Sequence, residues 1–167
     1  MPHLNRTWRI AASTAAAAGT VALAGTAVAG AAARPAVPAG TEHIQIVSAT
    51  AHGPVTAIAY GAFTAAGSAH IGSGKVGTLH LNGGVIRLSH TAGKGTARFN
   101  PTTCLTLVRQ PGTFTVTGGT GRFKGLAGHG TYKLTFVMVG ARSHGTCSSV
   151  KPPVASQELL LLTGHVH

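Results

Sequence analysis

The chain has 167 residues, the length of one modest domain, and sets 13 Lys and Arg against 2 acidic residues for a net charge of +11. Neither acid is an aspartate: Glu42 and Glu158 are the only carboxylate side chains. Chemistry built on carboxylate pairs or on carboxylate-rich metal cages is therefore nearly excluded, and the composition names no substrate or reaction.

The chain opens on a leader. Arg6 and Arg9 precede residues 10–28, a charge-free run of Ala, Val, Leu, Gly, Ser and Thr, which is the pattern of a cleavable secretory signal peptide over residues 1–33. Ala27-Val28-Ala29 and Ala31-Ala32-Ala33 both satisfy the small-x-small rule, so cleavage falls between residues 29 and 34, with Arg34 the preferred mature start. A retained membrane anchor is the competing reading, but the segment is Ala-rich and only weakly apolar. No Cys follows the apolar run and the two arginines are not adjacent, which argues against a lipid anchor and the twin-arginine route. The expected location is extracellular, with no membrane association after cleavage.

Residues 34–41 are Pro-, Ala- and Gly-rich and read as a flexible lead-in to a domain over residues 42–167. Short runs of two-residue alternation follow, separated by Gly and Pro signals, and imply an all-β domain. Residues 55–63 are apolar on both faces, as expected of a strand buried on both sides. Leu79 and Leu81 alternate with Thr78, His80 and Asn82, and Asn82-Gly83 suits a two-residue hairpin whose central positions both take positive φ. Leu105 and Leu107 alternate with Cys104 and Thr106, and Phe114 and Val116 with threonines. The clearest strand places Tyr132, Leu134, Phe136 and Met138 on one face. Residues 159–162 are four leucines in a row, again read as buried on both sides. No sustained helical period occurs after the leader. The 24 glycines are about twice the usual share of roughly 7%, which suits a tightly curved sheet, and closing that sheet would remove its edges.

Cys104 and Cys147 are the only cysteines, and an even pair in an exported chain is most simply one disulfide. A metal site or free thiols are the alternatives. Zinc would need two further ligands from scattered histidines, and no Cys-x-x-Cys or His-x-x-x-His spacing is present. His165 and His167 would share a strand face and could hold a transition metal with a third ligand, but none is identifiable, so no metal is assigned. A Ser-His-acid triad lacks a Gly-x-Ser-x-Gly, and Ser73 between two glycines reads as a turn residue.

The most distinctive segment runs from Gly112 to Tyr132. A strand enters Gly118-Gly119-Thr120-Gly121, an aromatic follows at Phe123, and a second turn carrying Gly125, Gly128 and Gly130 leads into the next strand. A dinucleotide loop would need a glycine where Lys124 stands and a helix after it, so these are read as structural glycines and no cofactor is assigned. This segment resembles the allene oxide cyclase and dirigent barrels, calycin-like proteins in which a Gly-Gly-Thr-Gly-basic-aromatic motif followed by Gly-x-Gly marks one hairpin. It is most similar to the small secreted bacterial members. The resemblance implies a single closed antiparallel β-barrel of about eight strands. Catalysis in the plant enzymes depends on a carboxylate and ordered polar groups inside the barrel. Here Glu42 and Glu158 stand near the two ends of the domain, so no such residue carries over and no catalytic residue is assigned.

The basic residues are spread along the chain and aromatics are few, so nucleic acid is not an expected partner. The net charge favours an anionic surface polymer through long-range, salt-sensitive attraction. Together these features imply a secreted, non-catalytic binding module that takes a small apolar or aromatic ligand in the barrel or an anionic envelope polymer on its surface. The alternative is a dirigent- or cyclase-type enzyme that guides a reactive substrate by barrel shape. The oligomeric state is left open.

Overall fold

The computed structural model describes residues 37–49, 55–71 and 75–167; the leader, residues 34–36 of the lead-in, and Ser73 lie outside the described residues. Eight strands close into one antiparallel barrel. In chain order these are β1 (Gly40–Ser48), β2 (Val55–Gly61), β3 (Ala65–Ile71), β4 (Val76–Leu81), β5 (Gly84–Ala92), β7 (Leu105–Gly119), β8 (Gly128–Val139) and β11 (Ala155–Val166). Each pairs with the next, and β11 pairs with β1 to complete the ring. Three strands stand outside it. β6 (Thr96–Asn100) pairs only with the first residues of β7, while β9 (Arg142–Ser143) and β10 (Thr146–Cys147) form a small separate hairpin.

Alternation decides what each strand buries, because residues directly opposite one another in neighbouring strands share a face. Ile44 and Ile46, Ala57 and Ala59, Leu79 and Leu81, Ile86 and Leu88, Phe114 and Val116, and Leu160 and Leu162 all turn inward and are buried. Two expectations fail for one reason. In residues 55–63 the strand buries Ala57 and Ala59 while Ile58 and Tyr60 are about half exposed, and in residues 159–162 Leu161 is exposed. A closed single sheet has one inside and one outside, so an unbroken apolar run cannot be covered on both faces. Leu105 and Leu107 likewise lie opposite Val139 and Val137, on the face away from Gln110 and Phe114.

Register also moves the start of the first strand and refines one turn. β1 begins at Gly40, because Gly40 and Thr41, assigned by composition to the lead-in, continue the ladder to Val166 and His165. Asn82-Gly83 does join β4 to β5, but only the glycines take positive φ, 98° at Gly83 and 154° at Gly84. Asn82 instead ties the turn sideways to β3: its Oδ1 accepts the Ala66 N–H at 2.9 Å and its own N–H bonds the Ala66 carbonyl at 2.9 Å.

The glycine segment forms the β7–β8 connection and plugs one end of the barrel. A single 3-10 turn, Gly121–Phe123, drives Phe123 into the interior with no exposed surface, where its ring meets Phe63 at 5.1 Å. Thr120 fastens the loop to β5, donating N–H to the Val85 carbonyl at 2.8 Å and accepting the Val85 N–H on Oγ1 at 3.1 Å. Gly121 sits at φ 61°, and a Cβ there would lie 2.1 Å from the Gly83 carbonyl oxygen, so only glycine fits this crossing. Gly118, Gly125 and Gly128 also take positive φ, while Gly119 and Gly130 permit close backbone approach. With this end filled, space for anything else lies toward the other.

Candidate ligand cavity in the barrel

A cavity of about 330 Å³ opens in the half of the barrel away from the Phe123 plug. This lies at the lower end of the range for small-molecule sites. Its floor and walls are apolar: Leu88, Phe114, Leu160 and Leu162 are buried beneath it, and Ile71, Ala92 and Leu134 complete the sides. The chain supplies these from β3, β5, β7, β8 and β11, each strand contributing its inward-facing residues.

Four polar side chains interrupt the lining: His90, Gln110, Tyr132 and Glu158. His90 projects inward from β5, opposite Phe114, with its ring edge-on to Tyr132 at 6.1 Å between centroids. Its Nε2 is buried and makes no hydrogen bond among the described residues. Burial pushes the Tyr132 phenol above its ordinary value, so at neutral pH it stays protonated and keeps a hydrogen to donate. The ring has room because Gly112 stands directly across from it on β7: a Cβ at Gly112 would lie 2.2 Å from Tyr132 Cζ. The role of that glycine depends on the cross-strand pair, which the order of residues along the chain does not show.

Glu158 corrects an expectation. Its place near the chain terminus suggested a carboxylate remote from the barrel interior. β11, however, runs through the middle of the sheet between β8 and β1, and register sets Glu158 opposite Phe136 and Ser48 on the inner face, at the cavity wall. Above it the sheet continues past the closed barrel as a lip made by β6 and the adjoining ends of β7, β8 and β11. Phe136, Met138 and Phe99 occupy the same inner face of that lip, and Phe99 is 58% exposed.

Glu42 belongs to the plugged end. It is 2% exposed, its Oε2 accepts the Phe63 N–H at 3.0 Å, and burial raises its carboxyl pKa against the opposing pull of the Phe63 and Ala62 N–H groups and of Arg122. The Arg122 guanidinium lies 4.9 Å from the Phe123 ring centroid and 5.8 Å from that of Phe63, and its Nη2 donates to the Thr64 carbonyl at 2.6 Å. These groups hold the plug and lie outside the cavity lining.

The cysteines are joined: Cys104 and Cys147 form a disulfide with Cα atoms 5.5 Å apart. His165 and His167 do approach each other, with ring centroids 6.4 Å apart, and His129 lies directly opposite His165. Among the described residues, no three of His, Cys, Asp and Glu converge on a position that would hold a metal ion. The basic residues are less dispersed than their order along the chain suggests. Arg98 on β6, Arg109 on β7 and Lys133 on β8 are all exposed on one outer face, at diagonal positions of adjacent strands. Comparison of the chain with family models, with curated proteins and with solved structures finds no match.

Proposed function

We propose that this barrel is a binding module for a small, mainly apolar or aromatic molecule held in the cavity between β5, β7, β8 and β11. The observation that carries the reading is the cavity itself: a barrel plugged at one end and empty at the other, with apolar walls and a few polar groups gathered toward the opening. The lip supports it, because Phe99, Phe136 and Met138 extend the apolar wall outward as an approach surface. Export is part of the proposal and rests on the leader pattern together with the disulfide. Kinship with the allene oxide cyclase and dirigent barrels rests on the glycine segment that closes the barrel. A catalytic variant of the same reading, in which the cavity guides a reactive substrate, has Glu158, His90 and Tyr132 as its acid–base candidates among the described lining residues.

The test uses N-phenyl-1-naphthylamine, a fluorescent probe that is uncharged at neutral pH and so is indifferent to the chain's positive charge. Saturable enhancement at one probe per chain is expected, and Leu134→Trp, which fills the cavity from β8, should weaken it about tenfold or more. Absence of saturable binding in the folded protein would remove the cavity reading.

A second reading has its own observation. The outer face carrying Arg98, Arg109 and Lys133 presents three cations to solvent, which suits an anionic surface polymer.

A further inference from the structure

Glu158 is one of only two carboxylates in the chain, and it stands in the wall of the cavity. Among the described residues, no Lys or Arg lines that cavity. A protein with a net charge of +11 therefore presents to a bound molecule a single formal charge, and that charge is negative. The same lining holds groups that suit a hydrogen-bond donor: His90 Nε2, buried and without a hydrogen bond among the described residues, and the amide oxygen of Gln110. The Phe114 and Tyr132 rings supply the electron-rich faces that attract a cation.

Resting on the cavity reading above, we infer that the site selects a ligand whose apolar or aromatic body carries one cationic amine, with the ammonium group at Glu158 and the body against Leu88, Phe114, Leu160 and Leu162. Selectivity comes as much from rejection as from attraction. A carboxylate ligand entering the cavity meets Glu158 with, among the described residues, no Lys or Arg in the lining to offset it, and that like-charge contact weakens its binding. Lys75 and Lys94 are exposed, outside the lining. Their repulsion of an incoming cation is long-range and screened at physiological salt, whereas contact with Glu158 is short-range and persists.

Three molecules with one naphthalene body decide the point by displacing N-phenyl-1-naphthylamine at neutral pH: 2-naphthylmethylamine, 2-naphthylmethanol and 2-naphthoate. The amine is expected to bind about tenfold more tightly than the alcohol, and the naphthoate most weakly, as follows from one charge-assisted hydrogen bond gained and one like-charge contact incurred. In Glu158→Gln the amine should fall to within about threefold of the alcohol. Equal affinity for amine and alcohol in the unmodified protein, or tightest binding of the naphthoate, overturns the inference while leaving the cavity as a binding site. Failure of the parent probe to bind would instead remove the cavity reading on which it rests. The comparison on the unmodified chain is decisive by itself, so the conclusion does not depend on the variant's folding.

Discussion

Glu42 is the residue whose chemistry most affects the fold. It faces inward from β1 opposite Gly61 and Gly164, 2% exposed, with one carboxylate oxygen bonded to the Phe63 N–H and the other, Oε1, buried and without a hydrogen bond among the described residues. Burial dominates and raises its pKa, while the Phe63 and Ala62 N–H groups and Arg122 oppose the rise. A carboxyl group that binds its proton more tightly in the folded state than in the unfolded state stabilises the fold below the unfolded value. That contribution disappears as pH rises through the folded value. Glu42→Gln keeps an acceptor for Phe63 and removes the titration. Urea unfolding followed from about pH 4 to neutrality should therefore show the parent losing stability relative to Glu42→Gln as pH rises. A difference that grows in the opposite direction would mean that Arg122 and the backbone donors outweigh burial.

At the scale of elements, the disulfide shows how the excursions from the barrel are secured. Cys104 closes the turn between β6 and β7, and Cys147 lies in β10, so the bond ties the β9–β10 hairpin to the base of the lip. Backbone contacts run alongside it: the Gly140 N–H donates to the Cys104 carbonyl at 2.8 Å, and the Arg142 guanidinium donates to the Gly145 and Thr102 carbonyls. Cys104 has φ 57°, a conformation unusual for a residue with a side chain, and it is almost wholly buried. With the cysteines separated by 43 positions in sequence, the chain-entropy account gives about 4 kcal/mol of stabilisation, and the common experimental range is about 2–4 kcal/mol. The double variant Cys104→Ser/Cys147→Ser should lose an amount in that range by urea unfolding. Intact mass should rise by two hydrogen atoms when the parent is reduced. Unchanged stability in the double variant would show that the hydrogen bonds alone hold the hairpin.

For the whole molecule, the distribution of charge separates two surfaces. Cations collect outside, with Arg98, Arg109 and Lys133 on the outer face of β6, β7 and β8, while the acids face inward from β1 and β11. Retention on an anionic matrix should consequently fall steeply with salt, and replacing those three residues by Gln should lower the eluting salt concentration more than replacing Lys75, Lys94 and Arg142, which lie elsewhere on the chain. Equal shifts from the two triple variants would show that net charge, not this face, governs retention.

The amino-acid order determined the strands and their inner faces wherever polar and apolar residues alternated, as at Leu79 and Leu81, Phe114 and Val116, and Tyr132 and Leu134. It also determined the pairing of its only two cysteines and the closing turn at Gly118-Gly119-Thr120-Gly121, because those features are local or admit a single partner. It was silent where the pattern was apolar on both faces: Ile58 and Leu161 point outward only because the sheet closes on itself. The cavity was equally illegible, since His90, Gln110, Tyr132 and Glu158 lie far apart in the chain and come together only through the register of β5, β7, β8 and β11. A scarcity of acids is visible in composition, but the position of one of them in the barrel wall is a property of strand order and pairing, which only the closed sheet decides.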